Sequence, residues 1–264
     1  MSKRRPKKIS RAKKTFVANL AWPEVESRIQ QGAKAILAVG AAAKEHGKHL
    51  PLNTDLVQAE WLLDKLSKRS DILIWPPITY GYYPAFIDFP GSCSIAMETF
   101  KNYVVEIVTN IGRHGVKEIF IINTGISTIE PIEQAIASVP NSIQTMLINV
   151  YSGKHFSSAE KKVQQQARGG HADEIETSIM LAISPQNVHL KLANAWETPT
   201  VSGKLERFGR QNPNYAPDGV FGNPLLAKQS KGKKLLSAML KDVEEAIDHY
   251  SKRRKRGRNE TKEQ

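Results

Sequence analysis

The chain has 264 residues, 40% of them hydrophobic, and a formal net charge of +12. This length and apolar content predict one large domain or two small ones with a sizeable core. No apolar run approaches the roughly 18 residues of a membrane helix, and the basic N-terminus lacks the apolar stretch of a signal peptide. Cys93 is the only cysteine, which excludes an intrachain disulfide and a cysteine-based zinc site. We therefore expect a cytoplasmic protein without a membrane span.

The positive charge is concentrated in two tails. Residues 1–14 carry eight Lys and Arg and no acid, and residues 251–264 carry seven Lys and Arg with two Glu. Together they account for +13, so the body, residues 15–250, is close to neutral. Blocks of like charge are usually disordered and can contact polyanions without sequence preference. We predict two disordered basic tails around one domain. A nucleic-acid-associated role is an alternative, although the tails hold no aromatic residue for base stacking.

Helical and extended patterns alternate along the body. We predict strands at residues 35–39, 71–75, 118–123 and 145–150, and helices at 22–31, 55–68, 97–114, 131–139, 173–184 and 231–250. The strands are short, apolar and without clear alternation, as in sheets that are buried on both faces. The order predicts an α/β fold with a mostly parallel sheet covered by helices. The Pro/Gly-rich segment 190–225 is predicted to be irregular and to cover a site or form an oligomer contact.

Ligand-type side chains follow the first predicted strand. Glu45, His46, His49 and Asp55 lie on the segment that leaves its end, where open α/β sheets place their active sites. Imidazole and carboxylate together suit zinc, manganese or iron. The alternative is a solvated polar loop, with Asp55 as the N-cap of the next helix.

Three further segments carry polar groups that could reach the same edge of the sheet. Tyr80 follows the second strand, and residues 123–128 follow the third, offering backbone N–H groups and hydroxyls for a phosphate or carboxylate, or forming an ordinary turn. His171 and Glu176 lie at the start of a later helix. They either face the cleft beside His46 or belong to a capping-box-like start, with Asp173 as the N-cap.

These elements, taken in order, resemble the creatininase family, the creatinine amidohydrolase-like metal enzymes, over roughly residues 20–245. The matching segments are Gly40 with His46-Gly47, His49-Leu50-Pro51 and Asp55; Tyr80-Gly81; Phe89-Pro90-Gly91-Ser92; Ile121-Ile122-Asn123; His171 with Glu176-Thr177-Ser178-Ile179-Met180-Leu181; Gly219-Val220-Phe221-Gly222-Asn223-Pro224 with Ala227; and Lys231-Gly232. Each element is weak alone, but the shared order and spacing are specific.

The resemblance implies a three-layer α/β/α sandwich with a mostly parallel central sheet, often assembled into homo-oligomers such as hexamers. It also implies a two-metal site that hydrolyses C–N bonds of cyclic amides and related small molecules. Asp55 would bridge the two ions and His46 would ligate one. His171 would be the acid/base for the leaving nitrogen, with Glu176 close by. The residues expected to contact the substrate are His49, Tyr80, Asn123 and Ser127.

This sequence departs from the family pattern at the metal ligands. Lys44 stands where the family has a metal-binding Glu, Gly125 and Ser127 stand at two further ligand positions, and Phe86 stands at a His. Replacement ligands could come from Glu45, His49 or Glu176. We therefore predict a hydrolase with an altered site holding one zinc, manganese or iron ion. The alternative is a non-catalytic member of the fold that binds a small molecule or a partner, with the Lys44 ammonium in the place of a cation.

Overall fold

The structure, a computed structural model, describes residues 15–198 and 204–260, with side chains described as far as residue 250. The predicted tail at residues 1–14 lies outside the described residues. Four strands are present: β1 (Lys34–Val39), β2 (Ile72–Ile74), β3 (Glu118–Asn123) and β4 (Gln144–Asn149). Seven α-helices are described: α1 (Trp22–Gln30), α2 (Thr54–Leu66), α3 (Met97–Arg113), α4 (Ile129–Ser138), α5 (Lys154–Val163), α6 (Glu174–Ile183) and α7 (Gln229–Glu260).

The four strands form one parallel sheet in the order β2-β1-β3-β4. This confirms the predicted parallel sheet. Val39 pairs with Asn123, which pairs in turn with Asn149, so three strands end at the same level. The segments that leave β1, β3 and β4 are thereby brought to one edge, where parallel α/β sheets carry their ligand sites.

Helices cover both faces of the sheet. Side chains of a strand alternate between faces, so Ile36 and Ala38 pack with α2, α5, α6 and α7, whereas Leu37 and Val39 pack with α3 and α4. The result is the three-layer α/β/α sandwich that the resemblance implied. The inner face of α7 alone contributes four fully buried apolar side chains, each worth about 1.5–3 kcal/mol on burial: Leu235, Met239, Val243 and Ile247.

Helices α6 and α7 approach each other closely near the start of α7. A side chain at Gly232 would place its Cβ 1.8 Å from the Ser178 carbonyl oxygen, so only glycine fits there. Beside it, buried Lys231 forms an ion pair with Glu174 at the start of α6. This contact fixes the beginning of α6, which carries Glu176.

Two helices differ from the prediction. Helix α7 continues to Glu260, so the segment predicted to be a disordered tail from residue 251 is helical for ten residues. Lys and Arg are good helix formers, and extending an existing helix avoids the cost of nucleation. Helix α5 was not predicted, because few of its residues are apolar and only Phe156 and Val163 are buried. No helix in the described part of the chain has the length and apolar character needed to cross a membrane.

Candidate active site

The candidate site lies at the carboxyl end of β1, where the chain turns toward α2. A Cβ at Gly40 would lie 2.8 Å from the Asp55 carbonyl oxygen, so glycine permits the end of the strand to contact the first turn of α2. The N-cap position of α2 is Asn53, and Asp55 is the second residue of the helix. Asp55 is therefore not the N-cap. Its buried carboxylate points to the loop that precedes the helix.

His46 is fully buried beside this carboxylate. Its Nδ1 lies 2.9 Å from the Lys44 carbonyl oxygen, and because a carbonyl only accepts, Nδ1 carries the hydrogen. Its Nε2 lies 3.0 Å from Asp55 Oδ1 and 3.9 Å from Glu176 Oε1. The ring therefore turns Nε2 toward two carboxylates. A proton on Nε2 or a metal ion between the groups would stabilise this arrangement.

His171 reaches the same point from the opposite side. Its Nε2 lies 2.9 Å from the Glu45 carbonyl oxygen and 3.2 Å from Glu45 Oε2, so Nε2 donates to Glu45. The other nitrogen, Nδ1, lies 3.7 Å from Glu176 Oε2 and is free to act as a ligand. Burial, reinforced by His46, lowers the pKa of His171 to about 3. The ring is therefore neutral at pH 7, the form in which histidine binds metals.

Glu176 faces the site from the first turn of α6. Asp173 caps this helix by accepting from the backbone N–H groups of Ile175 and Glu176, at 2.8 and 3.0 Å. Glu176 Oε2 accepts from the N–H of Ala172 at 2.6 Å, and Ala172 has a positive φ of 48°. Asp173 is therefore the N-cap, but it forms no capping box with Glu176, which accepts from Ala172 instead of from the N–H of the N-cap residue. The carboxylate of Glu176 turns toward His46.

Three of these groups form a donor set that fits one divalent ion. His46, His171 and Glu176 each offer one atom, and these atoms lie within 4.8 Å of one another. Two imidazoles and a carboxylate are typical ligands of zinc, manganese or iron. Glu45 accepts a hydrogen bond from the ring of His171, as outer partners of metal-bound histidines do. The donor chemistry and the separations both suit a metal ion.

The other carboxylate oxygen of Asp55, Oδ2, is paired with a lysine. The Lys44 ammonium lies 2.7 Å from Asp55 Oδ2, and both side chains are buried. Burial alone would raise the pKa of Asp55, but Lys44 and His46 outweigh it and hold that pKa below its usual range. On the far side, Gly125 has no side chain to offer as a ligand. A Cβ atom added at Gly125 would lie 4.0 Å from Asp55 Oδ2.

A cavity of about 440 Å³ is bordered by Lys44 and by two of the three donors, His171 and Glu176. Its polar lining includes Lys44, Ser127, Tyr151, Glu160, His171 and Glu176. Its apolar wall includes Phe86, Leu205 and Phe221, so the segment predicted to cover a site does contribute to the cavity. A smaller recess of about 10 Å³ lies between Lys44, Asp55 and Gly125. The larger volume is that of a small-molecule pocket.

A sequence model of the family described as "Creatininase: Creatinine amidohydrolase" matches residues 18–247. The chain belongs to the creatininase family. Among its relatives, a creatinine amidohydrolase of Pseudomonas putida is 24% identical over 253 residues, covering 89% of this chain and 97% of that protein. A 3-dehydro-scyllo-inosose hydrolase of Thermotoga maritima is 23% identical, covering 88% of this chain and 82% of that protein.

Solved creatininase structures share the fold of this family member. A manganese creatininase superposes with a TM-score of 0.76 at 21% identity, covering 89% of this chain and 98% of that one. A creatininase mutant described as the Zn-Zn type superposes with a TM-score of 0.77 at 22% identity, with the same coverage. At this identity the likeness establishes the fold alone.

The creatininase-like site brings together five of the nine residues predicted for it: Glu45, His46, Asp55, His171 and Glu176. The Glu45 carboxylate turns to the Gly47 N–H and His171, and Glu45 is not among the three residues of the donor set. A Cβ at Gly219 would lie 2.1 Å from the carboxyl carbon of Glu45, so this glycine makes room for that orientation.

The four predicted substrate contacts lie in different places. Ser127 lines both the cavity and the recess, and Tyr80 lines only the recess. Asn123 is buried, and its amide bonds to Asn149, Thr128 and the backbone of Gly125, which leaves it to brace the ends of β3 and β4. His49 is buried outside the cavity lining, with Nε2 2.8 Å from Thr177 Oγ1.

Among the polar residues that line the cavity, Tyr151 and Glu160 were not singled out in the sequence. Tyr151 lies between β4 and α5, and Glu160 lies on α5. Tyr151 donates to Gln58 Oε1 at 2.6 Å, and burial raises its pKa well above the usual value. The available signal was its position directly after the fourth strand, at the edge where the other site residues lie.

His49 leads to a prediction about acid stability. Burial, followed by the charges of His171 and His46, lowers the pKa of His49 to about 4. Because the unfolded chain binds this proton near pH 6.5, the folded state loses stability as the pH falls from 6.5 to 4, by up to about 3 kcal/mol. We expect His49→Gln, which can still bond to Thr177, to weaken this acid dependence. Denaturant unfolding of chelator-treated protein at several pH values measures it, and parallel curves for variant and wild type would contradict it.

Proposed function

We propose that the chain is a metal-dependent hydrolase that cleaves a C–N bond in a cyclic amide or related small molecule with one divalent ion. The observation that carries the proposal is the convergence of donor atoms of His46, His171 and Glu176 within 4.8 Å of one another. Two of these residues, His171 and Glu176, line a cavity of about 440 Å³. Family membership supports the reaction class, because the matching relatives include an amidohydrolase, a second hydrolase and peptidases.

His46, His171 and Glu176 would hold a zinc, manganese or iron ion. When bound, such an ion lowers the pKa of water and supplies a nucleophile at neutral pH. The protein contributes the orientation of the donors. The Lys44 carbonyl fixes the ring of His46, Glu45 fixes the ring of His171, and the Ala172 N–H fixes Glu176. Donors held in this way lose little freedom when they bind an ion.

The cavity is expected to select a small, partly apolar substrate. Phe86 and Phe221 offer flat apolar surfaces, while Ser127 and Tyr151 offer hydroxyl groups for the substrate's polar atoms. Ser127 is retained from the predicted substrate contacts, and Tyr151 is added to them. One acidic group, Glu160, lies on the same wall without a hydrogen bond or ion pair to its carboxylate among the described residues. A substrate with an N–H group would fit this end of the cavity.

The proposal is tested by removing and restoring the metal. Protein purified without a histidine tag would be stripped with a chelator, reloaded with Zn²⁺, Mn²⁺ or Fe²⁺, and assayed by mass spectrometry on a panel of cyclic amides. We expect hydrolysis only by the reloaded protein and not by reloaded Glu176→Gln. Equal activity before and after stripping would show that the reaction does not use a metal.

A non-catalytic function is the second candidate, favoured by the Lys44 ammonium on Asp55. In that case the protein would bind a small molecule or partner in the cavity without a tightly held metal. Stoichiometric metal together with turnover of any compound in the panel would contradict this alternative.

A further inference from the structure

The surroundings of Lys44 give its ammonium group only one described charged partner. The side chain is 8% exposed, and its Nζ lies 2.7 Å from Asp55 Oδ2. An ammonium has three N–H donors, and a buried donor without a partner is costly. Among the described residues no other hydrogen bond to this nitrogen is present, and Lys44 lines both the cavity and the recess beside it. The remaining donors are therefore available to a molecule in the cavity.

The ring of Phe86 contacts both the ammonium of Lys44 and the ring of His171, one of the three donors. The Lys44 nitrogen lies 5.1 Å from the centre of the Phe86 ring, within the range of cation–π attraction. The same ring lies 4.3 Å from the ring of His171, and all three residues line the cavity. The positive charge and two of the donors, His171 and Glu176, thus border one volume, and the ammonium is fixed before any substrate enters.

Gly125 provides the space for this lysine. A Cβ atom added at Gly125 would lie 4.0 Å from Asp55 Oδ2 and only 2.9 Å from Thr128 Oγ1. The absent side chain leaves the recess of about 10 Å³ beside the ammonium. Lys44 and Gly125 are thus coupled, since a larger residue at position 125 would crowd the carboxylate that the lysine binds.

Resting on the proposed hydrolase function, we propose that Lys44 is a catalytic residue that binds the substrate's carbonyl oxygen. Water adds to the carbonyl carbon, and the C=O π electrons move to the oxygen, beside the ammonium. The C–N bond then breaks as the C=O bond re-forms, and the nitrogen takes the proton lost by the water. A fixed charge stabilises the developing oxyanion without reorganisation. The substrate class is therefore a carbonyl compound, cyclic or open, rather than one lacking such an oxygen.

The test compares four zinc-loaded variants with the wild type: Lys44→Met, Lys44→Gln, Lys44→Arg and, as control, Lys48→Met. Lys48 is exposed and pairs with Asp218 outside the cavity lining. Lys44→Gln is included because its amide can still donate to Asp55 if the methionine variant does not fold. The readouts are zinc equivalents by elemental analysis, affinity for inorganic phosphate by calorimetry, and kcat on any substrate found in the amide screen.

We expect one zinc equivalent in the wild type and in the neutral variants. Phosphate affinity should fall at least tenfold in the neutral variants, and kcat by about 10²–10³-fold, as for loss of one oxyanion donor. Lys44→Arg should recover part of the phosphate affinity and part of kcat, and Lys48→Met should resemble the wild type in both quantities. Unchanged phosphate affinity in Lys44→Gln, or two zinc equivalents in the wild type, would overturn the role of Lys44. Zinc without turnover would instead refute the proposed hydrolase, while the phosphate titration still decides the role of Lys44.

Discussion

The variant His46→Ala is expected to lose stoichiometric metal and all metal-dependent turnover. His46 is the central donor of the set, because its Nε2 lies near both Asp55 Oδ1 and Glu176 Oε1, at 3.0 and 3.9 Å. Loss of a partner outside the ligand set typically costs about 10–100-fold in metal affinity, and loss of a ligand itself should cost more. The two remaining donors, His171 and Glu176, would not hold an ion through purification.

Elemental analysis of chelator-free preparations measures this effect. The matched control is His114→Ala, which removes an exposed histidine at the end of α3. The wild type and the control should contain about the same amount of zinc, manganese or iron, and His46→Ala should contain almost none. The circular dichroism spectrum should stay unchanged. Equal metal in His46→Ala and the control would show that the ion binds somewhere else.

The fold could be predicted because its signals are local. The four strands are apolar segments with turn residues after them, and their alternation with helices predicts a parallel sheet in any such chain. Helix α5 escaped prediction because its contacts are mostly polar or part-exposed. Its start is fixed by Asp242 of α7, which accepts from the N–H groups of His155 and Phe156. A contact between residues so distant in the chain leaves no periodic pattern to detect.

The residue types of the site were predictable from the sequence, but the orientations of some of their side chains were not. His46, His171 and Glu176 stand out as ligand types near strand and helix ends, and the resemblance placed them in one cleft. The direction of the Glu45 carboxylate depends on Gly219, which is far away in sequence but leaves room for it. Likewise, the ion pair of Lys44 with Asp55 follows from the path of the loop before α2. Packing in the folded protein sets these side-chain orientations, and the residue types alone do not indicate them.

The variant Lys231→Met is expected to lower the free energy of unfolding by about 3–5 kcal/mol, the usual cost of leaving a buried charge unpaired. The Lys231 ammonium contacts Glu174, and it also donates to Gln165 Oε1 at 2.7 Å and to the Leu226 carbonyl at 3.0 Å. Glu174 is fully buried, and its other oxygen accepts from the N–H groups of Gln165 and Gln166. Methionine would remove the only charged partner that the described residues give this carboxylate.

The double variant Lys231→Met/Glu174→Gln separates the unpaired charge from lost packing. Glutamine removes the charge while its carbonyl can still accept from the backbone at Gln165 and Gln166, so we expect part of the stability to return. Lys233→Met, an exposed change on the same helix, is the control and should change stability by less than about 0.5 kcal/mol. Denaturant unfolding of the wild type and of these three variants gives the four free energies of unfolding. Because the ion pair fixes the start of α6, the single variant should also bind metal more weakly through Glu176. A variant as stable as the control would mean that water or a rearranged Gln165 replaces the ammonium.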